Sequence, residues 1–250
     1  MVNGRPSDDD KVGAVEASDP LATLADASPR LNAKLDRSLH SGRVTGILRE
    51  AIITGSLPSG TPLVEAKLAR QLNVSRGPVR SALAILEQEG LAMTPPNGRM
   101  VVLGFGPDDL ADLFKVRLHI ETLAIKWGIE ARNPVDDIER ALEAMAHEGS
   151  ATDRLVELDI AFHRSVLEFS GSRSLLQAWS GFAGLLQTVI TVGNRELREQ
   201  NPRSDFERIM DNHRPLVDAI RARRYRDAER LLREQFEVTV SMISLAKRPR

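Results

Sequence analysis

Hydrophobic positions recur with helical spacing along most of the chain. Val44, Ile47, Leu48, Ala51 and Ile52 fall at i, i+3, i+4, i+7 and i+8, which predicts an amphipathic helix ending at Gly55, with Pro58 and Gly60 in the following loop. A second helix, about 64–72, turns Leu68, Ala69 and Leu72 inward. Asn73 tolerates the left-handed conformation that ends a helix, and Val74 points inward. Ser75 is placed to cap a third helix whose Pro78 sits in the first turn, where a missing N–H costs nothing. Val79, Ala82, Leu83 and Leu86 form the buried stripe of that helix, and Gly90 is its carboxyl cap. Leu91 to Thr94 and Arg99 to Leu103 read as short strands. Pro95, Pro96 and the pair Asn97-Gly98 join them, a hairpin signal because both residues of the pair accept positive φ.

Three helices and a hairpin, in that order, predict a winged helix-turn-helix over 41–103. Gly104 to Pro107 break the pattern, and Asp108 and Asp109 open a long helical run. Breaks at Asn133-Pro134, Gly149-Ser150, Gly171-Ser172, Gly193-Asn194 and Asn201-Pro202 divide residues 104–250 into six helices with no alternating strand run, so the fold class is mainly α. Residues 1–40 carry Asp8, Asp9 and Asp10, scattered Ser, Ala and Pro, and no sustained apolar periodicity, which reads as a mostly disordered arm.

Charge sharpens this division. The whole chain has a formal net charge of -1 and a pI near 6.5, which speaks against a uniformly basic surface. Residues 41–103, however, hold seven basic and four acidic side chains, a local excess of +3 between an arm and a helical region of net -2 each. The absence of cysteine excludes disulfide scaffolds, thiolate metal sites and cysteine nucleophiles, and fits a cytoplasmic protein. No apolar run approaches the ~20 residues that span a bilayer, and no basic-then-apolar leader opens the sequence. No membrane partner is expected.

Two clusters carry candidate chemistry. The first turns of the third helix present Ser75, Arg76, Gly77 and Arg80 opposite the buried stripe, at the end that enters a major groove first, and Asn97, Gly98 and Arg99 form the wing tip. Arg76 and Arg80 suit guanine edges or phosphate oxygens; Arg99 suits a minor groove or phosphates. The plainer alternative is a small helical domain with ordinary solvated arginines. In the helical region, Asp159 and His163 lie four apart on one helix, and His213 lies on a later one. Together they make an O,N,N set of the kind that binds Zn, Ni or Mn, as the divalent cofactor of a sensor or of a metal-dependent hydrolase or lyase. The alternative is a pair of hydrogen-bonded structural histidines, in a domain that binds nothing. His40, His119 and His147 have no partner at metal-ligand spacing and read as solvated or structural; Trp127, Trp179, Phe182 and Leu185 read as core or dimer interface. The Arg221 to Arg226 run complements a helix end.

The run from Leu68 to Leu83, with Leu86-Glu87-Gln88-Glu89-Gly90-Leu91, resembles the winged-helix signature of GntR-type bacterial transcription regulators. Gly77 stands where that family usually has Thr, and Asn97 where many members have Arg. Val116-Arg117 with Glu121, Asp159-x-x-Phe162-His163, the stretch His213 to Ile220, and Asp227-Ala228-Glu229 are similar to the FCD effector domain of the FadR subfamily. That resemblance implies a homodimer on palindromic operator DNA, bacterial and nucleoid-associated, in most cases a repressor. It implies an antiparallel helical bundle in which an Asp and three His hold a metal completed by a small organic acid effector. Asp159, His163 and His213 match the first three ligands, and Gln235 stands where the fourth is expected, a poorer partner that weakens metal affinity. Arg117 is the candidate for the effector carboxylate, with an i,i+4 pair to Glu121 as the alternative.

Overall fold

A computed structural model describes residues 37–96, 98–148, 153–200 and 205–246, with Leu21 and Leu24 ahead of them. Its elements are α1 (Arg37–Ile53), α2 (Glu65–Gln71), α3 (Arg76–Gln88), β1 (Ala92–Met93), β2 (Val101–Val102), α4 (Pro107–Glu130), α5 (Asp136–Glu148), α6 (Asp153–Phe169), α7 (Arg173–Ser180), α8 (Ala183–Gln200), α9 (Asp205–Arg221) and α10 (Tyr225–Ala246). The first helix starts at Arg37, earlier than the apolar periodicity indicates. The rest of the predicted arm lies outside the described residues, save Leu21 and Leu24, whose buried side chains join the core.

The winged part assembles as its apolar pattern dictates. Leu68, Leu72, Val79, Ala82 and Leu86 pack with Val44 and Leu48 of α1 in one core. Asn73 adopts φ 51, the left-handed step between α2 and α3, and Gly90 (φ 72) closes α3. Ser75 occupies the N-cap position, but its side chain makes no capping bond. Ala92 pairs with Val102 and Met93 with Val101 in an antiparallel ribbon. The α1–α2 loop then adds itself to β2: Gly60 N donates to the Val102 carbonyl, Val102 N to Thr61, and Leu63 N to Met100. The wing is thereby fastened to the body of the domain. Gly98 takes φ 75 at its tip, and Asn97 lies outside the described residues.

Seven helices, not six, make up the described carboxyl-terminal part. The expected break at Gly193-Asn194 does not occur, because α8 runs through both residues and Gly193 there gives Ile243 of α10 room to approach. Breaks fall instead at Gly181 and at Ala222–Arg224, where Arg223 turns left-handed (φ 54). The expected breaks at Gly149-Ser150 and Asn201-Pro202 lie outside the described residues. α4 packs on α6 and α10, α9 on α5 and α10, and α8 on α6, α10 and α1. Among the described residues no single helix is long and apolar enough to cross a membrane.

The last of those contacts joins the two parts. Arg49 of α1, 8% exposed, donates to both carboxylate oxygens of Glu89 at 2.9 and 2.7 Å and reaches Thr188 Oγ1 of α8 at 3.4 Å. Gly184 lets it close in, since a Cβ there would stand 3.0 Å from Arg49 Nη2. Arg195 of α8 meets Glu50 of α1 at 2.8 Å.

α4 and α6 cross where Gly128 faces the Phe169 ring, so closely that a Cβ at 128 would enter the ring's van der Waals envelope. The Asn133 amide, donating to the Phe169 carbonyl at 2.8 Å, fixes that end of α6. Gly128→Ala is therefore expected to lower stability by about 1–3 kcal/mol in urea unfolding. Gly77→Ala, with open space around it, is expected to leave stability unchanged or slightly raised, as alanine favours a helix.

Candidate functional site

On the winged part, Ser75, Arg76, Gly77 and Arg80 are all exposed along the start of α3, and Gly98 and Arg99 are exposed on the wing. The sequence reading missed what happens to Arg80. Its Nε and Nη2 donate to Glu65 of α2 at 2.9 and 3.0 Å, a two-pronged pair in water. Glu65 lies fifteen positions away on another helix, so no local spacing reveals it. The fork is thus aimed in advance, and its remaining N–H groups face outward. Arg49, counted among the basic residues of this block, is withdrawn into the contact with Glu89 and α8; since Glu89 is counted among the acidic ones, the +3 excess is unchanged and rests on the other residues.

Inside the bundle, α4 supplies Arg117 and Glu121, α6 supplies Asp159 and His163, α9 supplies His213 and α10 supplies Gln235; all six are buried. Arg117 Nε donates to Glu121 Oε1 at 2.7 Å, and the other oxygen of Glu121 accepts from His163 Nδ1 at 2.6 Å. Hence Arg117 does form its i,i+4 pair, yet it also lines the adjoining cavity. The Glu121–His163 bond joins residues 42 apart and was not legible in the sequence. Arg117 lies against Phe236, its guanidinium carbon 4.1 Å from the ring centroid, with Phe114 and Trp179 beside it. Of the aromatic residues assigned to core or interface, Trp179 is buried and Trp127 is 40% exposed. His119 and His147 are surface residues, their Nδ1 atoms beside the carbonyls of Lys115 and Glu143.

The hydrogen bonds fix how the imidazoles face. His163 Nδ1–H donates to Glu121, and His213 Nδ1–H donates to the Ile209 carbonyl at 2.7 Å. The neutral His163 ring then presents a lone pair at Nε2, while His213 Nε2 makes its hydrogen bond to Asp159. The two Nε2 atoms are 3.2 Å apart, and Asp159 Oδ1 lies 3.1 Å from that of His213 and 3.8 Å from that of His163. Asp159, His163 and His213 can each bring one ligand atom within 4.8 Å of the others. Three electron-pair donors converging on one buried point call for a proton or a metal ion between them, and the donor set suits a borderline divalent cation. Gln235 sends its Nε2 to 3.4 Å from each imidazole Nε2 and leaves Oε1 buried without a partner.

Electrostatics agree with that geometry. Burial pushes the Asp159 carboxyl upward, but the His213 hydrogen bond and the charges of His163, His213 and Arg117 outweigh it and hold Asp159 well below the usual carboxylate range. Glu121 is likewise lowered, burial being overcome by His163 and Arg117. His163 is lowered by burial and by Arg117, against the pull of Glu121 and Asp159, which favours the neutral ring that a metal requires.

A winged helix with a pre-aimed cationic helix, joined to a helical bundle with a buried polar centre, defines a two-part DNA-binding regulator. Known proteins identify it further. The gntR family of bacterial regulatory proteins matches residues 32–102, and the FCD domain matches residues 112–237. The gluconate operon transcriptional repressors of Bacillus licheniformis and Bacillus subtilis (strain 168) are 32% and 30% identical over 193 residues, 76% of this chain and 79% of theirs. A solved GntR transcriptional regulator from Rhodococcus sp. RHA1 shares the fold at 24% identity and TM-score 0.57, over 81% of this chain and 96% of that one. The chain belongs to the GntR family of transcription regulators, with an FCD domain as its carboxyl-terminal part. Members of this family bind operator DNA and are not enzymes, and FCD domains bind small-molecule effectors and can hold a metal.

Removing Glu121 alone would leave Arg117 charged, buried and unpaired. Glu121→Ala is expected to cost roughly 3–5 kcal/mol in chemical unfolding, while Glu121→Leu combined with Arg117→Met recovers most of the loss. Equal losses in the single and double variants would show that the ion pair is not what holds this part of the core.

Proposed function

We propose that the chain is a transcriptional repressor that binds a palindromic operator as a homodimer in the bacterial cytoplasm, on nucleoid DNA. A divalent cation and a small carboxylate effector in the bundle control that binding. Domain roles follow the sequence division: DNA binding through 41–103, and effector binding and dimerisation through 104–250. The DNA contacts are Ser75, Arg76, Gly77, Arg80 and the wing tip Asn97, Gly98 and Arg99.

One observation carries the effector reading: the charge balance of the buried cluster. In the deprotonated cluster that a metal requires, with both imidazoles neutral, Arg117 is opposed by both Glu121 and Asp159, leaving one negative charge in excess. A divalent cation held by Asp159, His163 and His213, such as Zn, Ni or Mn, reverses the excess to one positive charge, which one monocarboxylate closes. Arg117 keeps a buried Nη2 without a partner, a donor suited to that carboxylate. The adjoining cavity is lined by Arg117, Asp159, Asn194, Asn212, His213 and Gln235, polar groups suited to a small carboxylate. The Bacillus relatives are named for a gluconate operon, and gluconate is a carboxylate.

α8 links the cavity to the DNA-binding part. Ile190 and Asn194 line the cavity, while Thr188 and Arg195 meet Arg49 and Glu50 of α1. A ligand that moves α8 therefore moves α1 and shifts the population of spacings between the two winged domains.

The dimer reading rests on α4. Val116, Ile120, Leu123 and Trp127 form one stripe along its outer side, with Val116 52%, Leu123 36% and Trp127 40% exposed. Such an apolar stripe suits a second copy across a two-fold axis. Leu123→Asp is expected to sediment as a monomer and to lose operator affinity about a hundredfold or more, because both half-sites must be engaged together. An unchanged dimer would exclude this face as the interface.

In gel shifts on the region upstream of its own gene, Arg76→Ala is expected to bind at least about tenfold more weakly than wild type. Wild-type binding should weaken as salt rises and respond to a small carboxylate only when a divalent cation is supplied. Equal binding by wild type and Arg76→Ala would overturn the recognition-helix assignment.

A further inference from the structure

Gln235 occupies the meeting point of the two imidazoles with an amide, a group that carries a donor at one end and an acceptor at the other. The imidazoles dictate which end they see. Because the His163 Nδ1–H is committed to Glu121, its Nε2 offers a lone pair, and the NH₂ end of Gln235 lies 3.4 Å from it and 3.4 Å from His213 Nε2, which is hydrogen-bonded to Asp159. The acceptor end, Oε1, is consequently turned away into a buried position where nothing donates to it. An unmet buried acceptor of this kind is unfavourable, and Arg117, which also lines the cavity, holds an unmet buried donor.

A cation between the imidazoles reverses this preference. It repels an NH₂ group and attracts an amide oxygen, which ligates divalent ions. The backbone carbonyl of Gln235, held by Thr239 Oγ1 at 2.8 Å, stays within α10. The terminal torsion of glutamine is broad and roughly two-fold, so the two ends can exchange by a half-turn of the amide without displacing the helix.

We infer that Gln235 is a two-position ligand that makes carboxylate binding conditional on the cation, an inference that rests on the cation reading of this site. Without a cation, the amide donates to His163, and its other end is an oxygen that repels a carboxylate. With a cation, Oε1 completes the coordination begun by Asp159, His163 and His213, and the outward end becomes NH₂, a second donor beside Arg117. A single half-turn thus fills the coordination sphere and converts the wall of the effector cavity from acceptor to donor. A third imidazole at this position would complete the coordination but has no second end to exchange.

The test uses metal-free full-length protein titrated with Co²⁺ alone, followed by its visible absorption bands, and then with acetate as the smallest carboxylate. Wild type is expected to develop the bands and His163→Ala to lack them. Gln235→Leu, similar in volume but without either amide end, is expected to bind Co²⁺ about 10- to 100-fold more weakly. Gln235→Glu keeps a ligating oxygen and has no donor end; it is expected to bind Co²⁺ at least as tightly as wild type and to lose the acetate-induced band shift. If neither wild type nor Gln235→Glu binds Co²⁺, the cation reading falls and this inference with it. If wild type and Gln235→Leu bind Co²⁺ equally, the cation reading stands and the two-position ligand is overturned. An equal acetate response in wild type and Gln235→Glu overturns the conditional link. Should Gln235→Leu melt well below wild type, the opposed Co²⁺ and acetate responses of Gln235→Glu decide alone.

Discussion

The carboxylate of Glu121 is clasped on both sides, by Arg117 through one oxygen and by His163 through the other, with none of the three reaching solvent. That clasp constrains much else in the bundle. It makes a buried arginine tolerable, and it sets the tautomer of His163. Through that tautomer it decides that Nε2 presents a lone pair toward Asp159 and His213. The polar centre is therefore built from outside inward: α4 sets the orientation, and α6, α9 and α10 present their side chains to it. The aromatic surroundings, Phe114, Phe162, Trp179 and Phe236, make the environment apolar and raise the energetic consequence of any unpaired group.

A similar economy governs the DNA-facing side. Few cations are free there, since Arg49 is committed to the contact with Glu89 and α8, and Arg80 is held by Glu65. A surface pair such as Arg80–Glu65 adds little stability. Its consequence is orientation: an arginine fork fixed before contact loses less conformational freedom on meeting a base edge. The carboxylate beside it also offsets the positive charge of that fork.

How much of this was legible in the sequence depended on distance along the chain. The winged part is built from neighbours: Leu68 with Leu72, Val79 with Leu83 and Leu86, the left-handed Asn73, the glycine at 98. Periodicity and turn chemistry therefore recover its elements and their order, while the start of α1 and the ends of the two short strands fall elsewhere than the pattern indicates. The helical part resisted where glycine serves packing instead of ending a helix. Gly193 reads as a break beside Asn194, yet it lies within α8 because Ile243 needs the space. The reverse happens at Ala222–Arg224, where a break carries no glycine or proline and Arg223 itself turns left-handed. The site shows the same split. Asp159 with His163, and Arg117 with Glu121, are i,i+4 pairs that spacing exposes. Glu121 with His163, Arg80 with Glu65, and Arg49 with Thr188 are tertiary pairs that no local pattern encodes.

The position of α8 joins these two levels. Its apolar residues face the cavity and α10, while Gly184 and Thr188 admit the Arg49 side chain from α1. Arg49 is simultaneously bound to Glu89 just beyond the end of α3, the helix that carries Arg76 and Arg80. One side chain of the first helix thus touches both the helical bundle and the end of α3. Because it is nearly buried and its charge is matched by Glu89, Arg49 ties α1 to the end of α3, and its 3.4 Å reach to Thr188 sets α8 against that pair. A close-packed interface of this kind transmits rigid-body motion and does not absorb it. Ile190 and Asn194, which line the cavity, lie within six positions of Thr188 on the helix that carries this contact.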